Sequence, residues 1–126
     1  MNSVASGVAA STRVGLGRVT VMSPIVIVAS MTALPDSVDT VREVCMKAVE
    51  AVHPEPGCEL YALHEGERTF VFIEQWADEE ALQAHSGGPA VAALFSGVSG
   101  HLDGKPDIKM LKPVLSGDRA KGLLWG

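Results

Sequence analysis

The sequence has few cysteines and few aromatic side chains. Of its 126 residues, two are cysteine, Cys45 and Cys58, and only 5% are Phe, Trp or Tyr. The two cysteines form neither a CxxC pair nor a cluster with histidine, so we expect small buried side chains in a reducing cytoplasm rather than a disulfide. With so few aromatic rings, each one that is buried should matter to any pocket.

Three further absences narrow the class of protein. No apolar run approaches the roughly 20 residues of a membrane-spanning helix, which fits a cytoplasmic protein with no membrane partner. The net charge is −5 and no stripe of Lys or Arg offsets it, so nucleic-acid binding is not expected. None of the four histidines lies at HxH or HxxxH spacing from another, so no metal site is predicted.

The chain divides into an extension, one domain and a tail. Residues 1–22 are rich in Ser, Gly, Ala and Val and lack the order of charges typical of a secretory signal, so we predict a disordered extension. Met22 directly precedes a strand pattern and is a candidate for the true start. Residues 23–115 suit a single folded domain, and residues 116–126 are predicted to form a C-terminal tail.

Hydrophobic periodicity predicts four strands and three helices. Residues 25–31 (IVIVASM) are apolar at nearly every position, which is typical of a strand buried on both faces. After Pro35, apolar residues recur at helical spacing as far as Val52, and Pro54 and Pro56 then end the helix. The same criteria predict strands at 58–64, 69–76 and 108–114, and helices at 78–85 and 90–98.

The order of these elements indicates the fold class. When the two short helices at 78–85 and 90–98 are counted as one interrupted helical segment, the order is β-α-β-β-α-β. This is the order of an α+β ferredoxin-like fold, with an antiparallel sheet and its helices on one face. The other face of such a sheet needs a cover when its strands are apolar throughout. We therefore expect a homodimer that packs sheet against sheet.

Short motifs within this pattern resemble those of a known family. The chain has PGC at 56–58, then Tyr61, EQW at 74–76 and ALQAH at 81–85. In these motifs it resembles the antibiotic-biosynthesis monooxygenase family. The resemblance implies a dimeric α+β barrel with a pocket between sheet and helices in each subunit. It also implies an oxygenase that needs no cofactor, because the deprotonated substrate itself gives an electron to dioxygen while the protein removes a proton and excludes water.

Three residues are the candidate catalytic groups. Strand alternation puts Glu74 and Trp76 on one face, and His85 lies on the helix that follows. If that helix folds back over the strand, His85 could act as general base, with Glu74 setting its tautomer and Trp76 stacking on a planar substrate. The competing interpretation is structural: Trp76 packs in the core, Glu74 pairs with a backbone amide or an arginine, and His85 lies on the helix surface. The sequence leaves both interpretations open.

Further residues are candidates for substrate binding. Tyr61 could hydrogen-bond a substrate oxygen or simply pack with its hydroxyl at the rim. Leu94 and Phe95 could line the pocket or belong to the core. His101 follows Gly100 in a loop and could either close the pocket or be a solvated loop histidine. Ser30 on the first strand and Phe72 on the third strand are also candidates. The full set of substrate-binding candidates is Ser30, Tyr61, Phe72, Leu94, Phe95 and His101.

Three functional hypotheses follow. The leading one is a cofactor-independent monooxygenase that oxidises a quinol, an anthrone or a polyketide-like phenol with dioxygen. A second is a non-catalytic module that binds a small ligand in the same pocket. A third is the haem-binding and haem-degrading branch of the family, which carries an asparagine on the first strand where this chain has Ser30. Serine cannot serve as the same amide donor and aromatic residues are scarce, so haem is the less favoured.

Overall fold

The computed structural model describes residues 23–124. The predicted extension, the candidate start at Met22 and the last two residues of the predicted tail lie outside this range. The elements in chain order are β1 (Ile25–Thr32), α1 (Val38–Val52), β2 (Cys58–Glu65), β3 (Thr69–Trp76), α2 (Glu79–Ser86), α3 (Pro89–Val98), β4 (Asp107–Leu111) and α4 (Arg119–Gly122).

The four strands form one antiparallel sheet in the order β2-β3-β1-β4. The apolar β1 occupies the centre, where Ile27 pairs with Glu74 of β3 on one side and with Met110 of β4 on the other. This arrangement confirms the α+β ferredoxin-like fold predicted from the order of elements.

Helix α1 is amphipathic, as its sequence predicts, and packs on the sheet through one stripe. The stripe consists of Val41, Cys45, Ala48 and Val52, which recur every three or four residues and are buried. The two cysteines are free thiols. Burial raises the pKa of the Cys45 thiol to about 11, so this side chain stays protonated and acts as a small apolar group.

The largest departure from the predicted boundaries is in β4. The strand was expected to reach residue 114 but ends at Leu111, shortly before Pro113, which has no backbone N–H to continue a ladder. Within the predicted tail, Asp118 caps the single-turn helix α4 by accepting a hydrogen bond from the Ala120 N–H.

The two faces of the sheet differ in their cover. One face packs against α1, α2 and α3 and carries the core residues Met31, Phe70 and Phe72, which are at most 3% exposed. The opposite face, called here the outer face, holds the side chains that alternate with these. Its apolar side chains Val28, Leu60, Ala62, Val71 and Ile73 are only partly buried, and polar side chains such as Ser30 and Gln75 lie on the same face.

A glycine anchors the loop between α1 and β2 to the start of α2. Gly57 has φ +80°, a conformation that favours glycine, and a Cβ added there would collide with the Cβ of Ala81. Its carbonyl accepts a hydrogen bond from the Ala77 N–H at 2.9 Å. The backbone conformation and the close approach therefore both require glycine.

We expect Gly57→Ala to lower the free energy of unfolding by about 2 kcal/mol or more, because it adds backbone strain to a steric clash. Urea denaturation followed by circular dichroism measures this loss. Gly66→Ala is the matched control, since a Cβ there meets nothing within 4 Å, and we expect it to change stability by less than about 0.5 kcal/mol. Equal losses of stability in the two variants would contradict the conclusion that position 57 requires glycine.

Candidate functional site

A cavity of about 250 Å³ lies between the sheet and the helices α2 and α3. Its walls are almost entirely apolar and include Ile27, Ala29 and Met31 of β1. Phe95, Ile108 and Met110 also line it and are 38–67% exposed, so the cavity opens between α3 and β4. The opposite end is closed and buried.

The polar groups of the cavity concentrate at the buried end. Tyr61, Glu74 and His85 line it and are each at most 6% exposed, while Ser86 is an exposed lining residue. No lysine or arginine of the described residues lines this cavity. The site therefore has a carboxyl, an imidazole and a phenol but no fixed cation, which suits a neutral ligand with apolar surface better than an anion.

The structure brings the three candidate catalytic residues together. Trp76 Nε1 donates a hydrogen bond to Glu74 Oε1 at 2.9 Å, and the Trp76 and His85 rings lie 4.3 Å apart at an interplanar angle of 30°. Trp76 is fully buried and lies behind the cavity wall. Its ring therefore packs on His85 and supports the site from outside the cavity, whereas the sequence suggested that it would stack on the substrate.

The protonation equilibria of this end are shifted by burial. Burial raises the pKa of Glu74 to about 7, with a smaller contribution from the charge of Glu55, while the Trp76 N–H acts in the opposite direction. Burial, and then the nearby Glu74 charge, raise the pKa of Tyr61. Near neutral pH, Glu74 can therefore both hold and release a proton, whereas Tyr61 remains a neutral hydroxyl donor.

A residue absent from the sequence-based candidates completes the site. Glu55, in the loop between α1 and β2, has its Oε1 atom 2.8 Å from Nδ1 of His85. Nε2 of His85 lies 3.9 Å from Glu74 Oε1, which is beyond hydrogen-bond distance. The sequence suggested Glu74 as the group that sets the tautomer of His85, but the geometry gives the direct contact to Glu55.

Of the substrate-binding candidates, Tyr61, Phe72, Leu94 and Phe95 line the cavity. Ser30 does not, because its β1 neighbours Ala29 and Met31 face the cavity and alternation turns Ser30 to the outer face.

His101 also lies outside the cavity lining. Its Nδ1 is 2.9 Å from Ser37 Oγ at the start of α1, and its carbonyl accepts a hydrogen bond from the Leu34 N–H. The expectation that His101 closes the pocket is therefore not met, because its side chain links the loop after α3 to the beginning of α1.

Fold and cavity together define an α+β protein whose antiparallel sheet and helices enclose a buried carboxyl–imidazole pair. The family model described as antibiotic biosynthesis monooxygenase matches residues 24–96. The chain belongs to this family.

Solved structures are similar over most of the chain. One, described as an antibiotic biosynthesis monooxygenase, is 26% identical, covers 72% of this chain and 99% of its own, and has a TM-score of 0.68. PA3566 from Pseudomonas aeruginosa is also 26% identical, with 74% and 96% covered and a TM-score of 0.68. Rv0793 from Mycobacterium tuberculosis is 23% identical, covers 76% and 100%, and has a TM-score of 0.71, which shows the shared fold.

The comparison with curated proteins found no match. Within residues 23–124, no helix is both long and apolar enough to cross a membrane. The same part of the chain contains no group of three or more His, Cys, Asp or Glu side chains that could hold a metal ion.

Proposed function

We propose that this chain is a cofactor-independent monooxygenase that oxidises a small electron-rich aromatic, such as a quinol, an anthrone or a polyketide-like phenol, with dioxygen. The observation that carries the proposal is the pair Glu74 and His85, buried at the closed end of an otherwise apolar cavity. Membership of the antibiotic biosynthesis monooxygenase family supports the reaction class.

The two side chains have complementary tasks in this proposal. His85 accepts the phenolic proton at Nε2, and the phenolate that results gives an electron to dioxygen. One oxygen atom then forms a bond to the substrate carbon, and the other leaves as water with two hydrogens from the substrate. Glu74, with a pKa of about 7, supplies a proton to the departing oxygen and regains one afterwards.

The apolar walls contribute by excluding water from the charged intermediate. Phe72 and Tyr61, whose ring centroids lie 5.0 Å apart, offer aromatic surface to a planar substrate. The Tyr61 hydroxyl can donate a hydrogen bond to a substrate oxygen as negative charge develops there. The volume of about 250 Å³ lies just below the roughly 300–1,000 Å³ typical of ligand pockets, which favours a compact aromatic over haem.

Oxygen consumption across a panel of reduced quinones, anthrones and simple phenols tests this function. We expect uptake by chelator-treated protein above the spontaneous rate measured with heat-inactivated protein. Saturable binding of the same compounds without uptake would instead favour the non-catalytic module. A haem titration belongs beside the panel, because a Soret band that rises to saturation would favour the haem branch.

The proposal includes a homodimer in which a second copy covers the outer face. Within residues 23–124 no helix packs over the apolar side chains of that face, and Ile73 lies near their centre on β3. We expect a dimer in sedimentation velocity and a shift to monomer in Ile73→Asp, since a charge buried between two sheets is costly.

Met46→Asp is the control for the dimer. It introduces the same charge at an exposed residue of α1, where Met46 is 49% exposed on the helical side of the molecule. We expect this variant to remain dimeric. A monomeric wild type, or a dimer unaffected by Ile73→Asp, would contradict packing through the outer face.

A further inference from the structure

We infer that Glu55 is a positioning residue: its carboxylate holds the imidazole of His85 in the tautomer with the proton on Nδ1 and leaves Nε2 as the basic nitrogen. The inference rests on the proposed function only for its catalytic consequence. The tautomer itself is a property of the resting protein and is measured without a substrate.

Among the described residues, His85 has one hydrogen-bond partner at Nδ1, the carboxylate of Glu55. Glu55 Oε1 lies 2.8 Å from this nitrogen, and an ionised carboxylate only accepts hydrogen bonds, so Nδ1 must donate. A neutral imidazole with a proton on Nδ1 has its lone pair on Nε2. Nε2 is the nitrogen on the side of Glu74, and both side chains line the cavity.

Aromatic neighbours restrict the plane of the ring. Trp76 packs on the His85 ring at 4.3 Å, and Tyr61 meets it nearly edge-on at 5.6 Å and 66°. These apolar contacts do not distinguish one ring nitrogen from the other. The hydrogen bond to Glu55 provides that distinction, so the choice of tautomer depends on this carboxylate.

The backbone presents Glu55 to His85 through a short restrained loop. Pro54 and Pro56 flank Glu55 and limit the backbone on both sides, and its N–H donates to the Val52 carbonyl at 2.9 Å. Gly57 then packs against Ala81. Ala81 precedes His85 by four residues on α2, so both lie on the same side of the helix. The loop between α1 and β2 therefore contacts both residues.

Glu55 also matters after His85 has accepted the substrate proton. Both ring nitrogens then carry hydrogen, and the positive charge lies beside an anionic carboxylate in a largely buried environment: the side chain of His85 is 6% exposed and that of Glu55 20%. An opposite charge at hydrogen-bond distance stabilises the imidazolium. Glu55 thus supports the proton transfer without touching the substrate, since it is not part of the cavity lining.

Nitrogen-15 NMR of the histidine ring, at a pH where the ring is neutral, tests the inference. In the wild type we expect the Nδ1–H tautomer for His85. In Glu55→Ala we expect the signal to shift to the Nε2–H tautomer or to a mixture, and in Glu55→Gln we expect Nδ1–H to persist because the amide oxygen still accepts. Glu59→Ala is the control, since Glu59 accepts a hydrogen bond from Gln75 rather than from His85. In this variant we expect His85 to keep the wild-type tautomer.

An Nε2–H tautomer in the wild type, or an unchanged Nδ1–H signal in Glu55→Ala, would overturn the inference. The wild-type measurement needs no variant, so misfolding of a substituted protein does not prevent the test. With a substrate that turns over, we expect Glu55→Ala to lower kcat roughly tenfold or more while KM changes little. If the wild type consumes no oxygen but has the expected tautomer, the proposed function fails and the positioning role of Glu55 stands.

Discussion

Replacing His85 with alanine is expected to lower kcat/KM for the aromatic substrate by roughly 10²–10⁴-fold, the usual contribution of a general base. The cavity offers few other groups that could remove the proton. Glu74 is one of them, with its carboxylate 3.9 Å from Nε2 of His85. Because burial raises the pKa of Glu74 to about 7, a fraction of the Glu74 side chains carries a proton near neutral pH and cannot remove one from the substrate. Oxygen uptake under steady-state conditions measures the loss.

The matched control for this prediction is Gln83→Ala. Gln83 lies on the same helix, two residues before His85, but is exposed and absent from the cavity lining. We expect this variant to turn over at the wild-type rate. Normal turnover by a folded His85→Ala protein would remove His85 from the mechanism, whereas an equal loss in both variants would indicate damage to α2.

The second large effect is expected in stability. We expect Glu74→Gln to raise the free energy of unfolding above that of the wild type by about 3 kcal/mol at pH 8, because the wild type must then keep a buried carboxylate ionised. Glutamine has nearly the shape of the protonated acid, and its oxygen can still accept the hydrogen bond from Trp76 Nε1. We expect the same substitution to reduce activity, so that the variant is more stable but less active than the wild type.

The direction of the pH dependence follows from the raised pKa. Burial raises the pKa of Glu74 from 4.5 to about 7 on folding, so between these values the folded state binds the proton more tightly than the unfolded state. The contribution of Glu74 to stability is thus complete below about pH 4.5 and is lost as the pH rises through about 7. Above that value the difference between variant and wild type should be constant.

Urea denaturation of both proteins at pH 5 and at pH 8 measures the difference. We expect the two proteins to be similar in stability at pH 5 and to differ at pH 8. Glu80→Gln, at an exposed position of α2, serves as the control and should follow the wild type at both pH values. A Glu74→Gln protein whose stability changes with pH as the wild type does would show that Glu74 titrates near its ordinary value.

The strands and the main helix were predictable because their side chains repeat with a clear period. The alternation of Thr69–Trp76 predicted β3 at its observed bounds and put Glu74 and Trp76 on one face. The amphipathic pattern after Pro35 likewise predicted α1 as far as Val52. The spacing of apolar residues indicates which side chains are buried, and burial of one face is what stabilises these strands and this helix.

The parts that could not be predicted depend on tertiary contacts. Glu55 lies between two prolines in a segment without period, and its contact with His85 depends on how the folded loop packs on α2, where Gly57 approaches Ala81. The choice of Ser30 came from alignment with the family, whereas the face on which it lies depends on strand register and alternation. His101 was assigned from its position after Gly100, and only the folded chain shows its contact with Ser37.

Labelling with ¹⁸O₂ tests the central claim most directly, using chelator-treated wild-type protein and the best substrate of the panel. We expect one ¹⁸O atom in the product, the other in water, and one dioxygen consumed for each product formed, with His85→Ala slowing the incorporation of label in proportion to its loss of oxygen uptake. An oxidised product without ¹⁸O would contradict it, because the protein would then remove electrons without inserting oxygen.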